Sequence, residues 1–133
     1  MATVFSGAPS TLYFFVTSAD LWLPIQAVGT TMLPADSSAW SILLAAGVIH
    51  CAVSMFWAVI VAGAAPAKHV VAFAMSASAL IAVLDLRIIA PALFPDVANL
   101  SFWPQFADHL AWGMLLGMTL HFRQMRRRAA IAA

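Results

Sequence analysis

Residues 40–63 read WSILLAAGVIHCAVSMFWAVIVAG, a stretch without a single Asp, Glu, Lys or Arg. As a helix rising 1.5 Å per residue it would be about 36 Å long, enough to cross the hydrocarbon layer of a bilayer. Pro66 and Lys68 close it. Beyond them a second apolar run, 69–90, is interrupted only by Asp85 and Arg87 and is followed by Pro91 and Pro95. A third run, 103–122, opens with Trp103 and Pro104, where proline suits a first helical turn, and leads into an arginine cluster. Upstream, 11–32 is long enough to span, but Asp20, Pro24, Gln26 and Gly29 make it the least apolar of the four. Pro24 cannot donate to the Asp20 carbonyl, so a kink is expected there, and a re-entrant or interfacial segment is the competing reading.

Composition agrees with that reading. Of 133 residues, 64% are hydrophobic and 8% charged, whereas a soluble domain carries about a quarter of its residues as charges. A soluble enzyme domain is therefore not expected, and the chain reads as one whose solvent is lipid. Four spans and their links consume the length, leaving one integral membrane domain over 1–133. The segment 1–10 has no basic residue, so a cleaved signal peptide is not expected. Cys51, the one cysteine, falls inside a span and reads as a small buried hydrophobe.

The basic residues set the expected orientation. Arg123, Arg126, Arg127 and Arg128 follow the last span and Lys68 lies between the second and third, while Asp36 and Asp96 occupy the other links. Basic residues concentrate on the cytoplasmic side. The expected fold is thus an all-α, four-span antiparallel transmembrane bundle with both termini cytoplasmic, Trp40 and Trp103 at the outer interface and the four arginines on anionic lipid head groups. The tail is too short and too near the membrane for nucleic-acid binding.

Helices associate in lipid through small residues that let backbones approach. Gly113 and Gly117 form a GxxxG pair, and Ala74, Ser78 and Ala82 repeat at four-residue spacing. At 100° per residue Asp85 falls within about 20° of the Ala74 line, and His109 shares the face of Gly113 and Gly117. Arg87, on another side, is expected to snorkel to the outer interface. Depth bookkeeping gives two layers of ionisable groups. Asp85, Asp108 and His109 share an outer one, and Asp20 and His50 come out near the midplane. A carboxylate there costs about 3 kcal/mol if ionised and unpaired, so Asp20 should be neutral, hydrogen-bonded or paired with His50. These five residues are the candidates for a binding or proton-responsive site.

Haem is a weaker option. His50 and His109 differ in depth by about 6 Å, whereas His69 and His121 match at the inner ends of adjacent spans. No phosphate loop, CxxC, HExxH or nucleophile elbow is present, and the methionines form no copper-binding face. Neither a cofactor nor a metal is therefore expected.

The stretches VIHCAVSMFWAVI (48–60), LIAVLDLRIIAP (80–91) and PQFADHLAWGMLLG (104–117) resemble a group of small uncharacterised four-helix inner-membrane proteins of proteobacteria. That resemblance, over roughly 45–120, maps onto His50, Asp85, Asp108 and His109. It implies a bacterial inner membrane and a four-helix fold, without an activity. The expected function is a non-enzymatic accessory or assembly component of a membrane complex or homo-oligomer. The alternatives are a proton-linked transport or permeation unit and a haem-binding membrane subunit.

Overall fold

The computed structural model describes residues 2–17 and 20–132, and the elements within them are all helical. In chain order they are α1 (Ala2–Phe5), α2 (Ala8–Val16), α3 (Trp22–Gly29), α4 (Ala39–Ala64), α5 (Val70–Leu84), a π-helical turn (Asp85–Ile89), α6 (Ala90–Leu93), α7 (Pro95–Ala98) and α8 (Phe102–Ala132).

α4 starts where Ser38 caps it, its hydroxyl accepting the Ser41 N–H, and runs through the charge-free stretch. α5, the π-turn and α6 form one continuous rod, Val70–Leu93. The expected stop at Pro91 does not occur. Proline there has no N–H for the Arg87 carbonyl and its ring would press against that carbonyl. One turn earlier the backbone widens, with the Ala90 N–H bonding to the Asp85 carbonyl, and the helix passes through the proline.

The rod α4 and the rod α5 to α6 are both long and apolar enough to cross a membrane. α8 has the length, with 31 residues rising about 46 Å, but Gln105, Asp108 and His109 interrupt its apolar surface. It does not end at Phe122 as expected. Its last turns continue as helix and carry the four arginines beyond what a bilayer core would cover.

The expected first span is not one continuous helix. Its residues 18 and 19 lie outside the described residues, but around them the stretch 11–32 divides into α2 and α3, of nine and eight residues, each rising less than half a bilayer core. Pro24 produces no kink in a long helix. It sits in the first turn of α3, where its missing N–H has no helical partner to lose. α1 joins the bundle through Ala2, which packs against the core cluster, and of the four expected spans two are helices long and apolar enough to cross a membrane.

α8 is the central element, lying along α5 and also meeting α1 and α2, while α3 packs on α4 and α7. Along the α5–α8 seam Ala74, Ser78 and Ala82 are fully buried. A β-carbon on Gly113 would overlap Ser78 and lie 2.8 Å from the Ala74 carbonyl oxygen, and one on Gly117 would lie 2.8 Å from Val71 Cα. Here glycine is what lets two backbones touch. Val61, Ala74, Ile81, Trp112 and Leu116 form the core, with Trp57 and Ala58 of α4 against it.

Candidate functional site

The layer of Asp85, Asp108 and His109 begins with His109 on α8. Its Nδ1 lies 2.8 Å from the Gln105 carbonyl oxygen one turn back. A carbonyl only accepts, so Nδ1 carries the proton of that bond. In the neutral ring Nε2 is then a bare acceptor. It faces Asp85 Oδ2 at 3.5 Å, with the two side chains 25% and 20% exposed. Two acceptors cannot bond to each other without a proton between them. A proton on Nε2 or on the carboxylate would join the two as a hydrogen bond. Asp85 is the first residue of the π-turn, and Ser78, two turns below it on α5, donates its hydroxyl to the His109 carbonyl. The π-turn and α5 thus both meet α8 at His109.

Asp108, the neighbour of His109, turns elsewhere. Its Oδ1 accepts the Ser10 backbone N–H at 2.8 Å. Ser10 is the third residue of α2, whose first N–H groups have no side-chain cap from Gly7. Asp108 is therefore an N-cap supplied from another helix, and its charge suits the positive end of the α2 dipole.

The midplane pair is a correction. Asp20 is exposed in the link between α2 and α3, where its carboxylate accepts the Trp22 N–H at 2.8 Å and starts α3. His50 is exposed on α4 and its Nε2 bonds to the Thr3 carbonyl oxygen at 3.0 Å, fastening α1 to α4. The hydrogen bond of Asp20 is one of the states expected of it, whereas a pairing with His50 does not occur, because 11–32 is not one continuous helix. Cys51 is exposed on α4 rather than buried. Arg87 also has a specific place, its guanidinium carbon 4.3 Å from the centre of the Phe102 ring at the start of α8.

At the opposite end, Lys68, His69, His121, Gln124 and Arg128 line one cleft between the α4–α5 turn and α8. Nothing in the spacing of Gln124 and Pro66 or of Arg128 and Ala67 foretold the bonds that join them. The signal that was available is that Lys68 and the arginines fall on the same side by span parity.

The structure thus defines an all-helical protein with two rods long and apolar enough to cross a membrane and a carboxylate–imidazole pair beside them. Comparison with known proteins finds no matching family model, no matching curated protein and no matching solved structure.

Proposed function

We propose that this chain is a non-enzymatic integral component of a bacterial inner membrane, an accessory or assembly subunit that associates laterally with partner subunits or with itself. The observation that carries the reading is the bareness of α4. Only 11% of its most apolar stretch is buried within the chain, so it is not the core helix of a soluble protein. Leu44, Val48, Cys51, Met55 and Val59 are all exposed and fall on one stripe at four- and three-residue steps, the spacing of a helix–helix seam. Lipid covers such a stripe as readily as a partner does, so the test must tell them apart. Cys51 lies mid-stripe and is the only thiol, which makes it a native reporter. Mild oxidation of membranes should give a disulfide-linked dimer, and a thiol-reactive crosslinker a discrete heteromeric band, both lost in Cys51→Ser. A protein extracted by alkaline carbonate, or an embedded one with Cys51 accessible but never captured, would overturn the reading. The arginine-bearing end of α8 and Lys68 face the cytoplasm in this arrangement.

The Asp85–His109 pair favours a second reading, a proton-linked permeation unit. It places an imidazole beside a carboxylate between two helices, both side chains partly exposed, an arrangement able to pass a proton. Asp20 and His50 have no part in it, and Asp108 acts through α2. Proteoliposomes should then show a proton flux that Asp85→Asn and His109→Gln each abolish. A parent protein without flux removes this reading and leaves the first intact.

A further inference from the structure

We infer that the cleft between the α4–α5 turn and the arginine-bearing end of α8 is a binding site for the phosphate head group of an anionic phospholipid. The cleft has a volume of about 290 Å³, at the small end of the size of sites for small ligands. Lys68 and Arg128 bring fixed positive charge to it, and His69, His121 and Gln124 add further donors. Its walls are tied together. Gln124 Nε2 donates to the Pro66 carbonyl at 3.4 Å and an Arg128 terminal nitrogen donates to the Ala67 carbonyl at 3.2 Å. One bond leaves most of the guanidinium fork unused, and a tetrahedral oxyanion is the group that fork matches.

Among the described residues the charge is not cancelled. No described carboxylate lines the cleft, and the sequence has five acidic residues in all, every one engaged or placed elsewhere. Asp85 and Asp108 serve His109 and Ser10, Asp20 starts α3, Asp96 lies 3.5 Å from Thr30, and Asp36 is in the link before α4. His69 adds a local signature. It is the one non-glycine residue described with a positive φ, 57°, a conformation that histidine tolerates better than most side chains, and it makes the turn that starts α5 at the cleft. Val70 and Met125 complete the lining with apolar surface. A cationic rim above an apolar wall fits a group that is charged at one end and acyl at the other, which favours a lipid over a free ion. This inference does not rest on lateral association through α4.

The test uses the full chain in an uncharged detergent, supplied with phosphatidylglycerol or phosphatidylcholine and examined by native mass spectrometry. One phosphatidylglycerol should stay bound per protein, in preference to phosphatidylcholine. Lys68→Gln, which breaks no bond seen in the structure, should weaken its retention about fivefold, and Lys68→Gln with Arg128→Gln about thirtyfold, at the usual contribution per basic residue. Removing the same two charges at Arg126 and Arg127, outside the cleft, should cost less than about threefold. Inorganic phosphate at millimolar concentration should fail to displace the lipid. Displacement by phosphate, equal retention of phosphatidylcholine, or equal losses in the two double variants would each overturn the assignment to a lipid head group in this cleft.

Discussion

Adding one methyl group at Gly113 is the sharpest test of how the bundle is held. The new β-carbon would overlap Ser78 Cβ and sit 2.8 Å from the Ala74 carbonyl oxygen, and the second of these is backbone that no rotamer change can move. Ordinary contact with Ser78 Cβ needs α5 to retreat by about 1 Å, and a gap of that size forfeits up to about half of the dispersion energy of each contact along the seam. It would also stretch the bond from the Ser78 hydroxyl to the His109 carbonyl. Overpacking against a rigid wall costs about 3 kcal/mol at the upper end, and alanine returns about 1 kcal/mol through its higher helix propensity. The net loss for Gly113→Ala is therefore about 2 kcal/mol, a shift of about thirtyfold in the folding equilibrium. Gly63→Ala on α4 is the matched control, since a β-carbon there meets nothing within 4 Å. Unfolding in mixed micelles with increasing dodecyl sulfate should place the Gly113→Ala midpoint clearly below the parent and Gly63→Ala at or above it. Coincident midpoints for the two variants would refute the claim that the α5–α8 seam is set by backbone contact at glycine.

Other expectations follow from individual bonds. Asp85→Asn can still donate an amide proton to the bare Nε2 of His109, so its stability should stay within about 1 kcal/mol of the parent, whereas Asp85→Ala leaves that nitrogen unpartnered and should lose about 1–3 kcal/mol. Nitrogen NMR of the Asn variant should show His109 as the neutral Nδ1–H tautomer. Asp108→Ala removes the cap on α2 and should cost about 1 kcal/mol, with faster hydrogen exchange confined to 8–16, while Asp108→Asn, whose carbonyl still accepts, should keep most of that protection. Phe102→Leu takes away the ring beneath Arg87 and should cost about 1 kcal/mol, read in the same unfolding titration.

What could be read from the chain depended on the range of each interaction. α4 is legible because its signal is local and unbroken from Trp40 to Gly63. The facing of Ala74, Ser78 and Ala82 towards Gly113 and Gly117 is legible because a helix repeats nearly every four residues, so spacing alone puts small residues on one side. Depth counting also sets Asp85 and His109 at one level, since both are reckoned from fixed ends of real rods. The same arithmetic misplaces Asp20, because it assumes a helix that Asp20 itself helps to restart at Trp22. The partner of Asp108 is beyond sequence reasoning of this kind. Ser10 lies 98 residues away, and its need for an acceptor arises only once α2 begins where it does. At the other end, span counting does bring His69 and His121 together, and both line the cleft, but the bonds that join its walls run through backbone carbonyls that every residue possesses and so escape.

The π-turn at Asp85–Ile89 has a bearing on the history of the chain as well as on its shape. Such a turn is what an α-helix becomes when it accepts one surplus residue without breaking. Deleting a single residue from 86–89 would close the wide turn and press the ring of Pro91 back against a helix carbonyl, so the rod would kink or end at the proline instead of passing through it. In the chain as it stands, the surplus residue lets one rod stay keyed to the glycines of α8 and still continue past a proline. A change of one codon's length would therefore shorten the rod while leaving the packed half untouched.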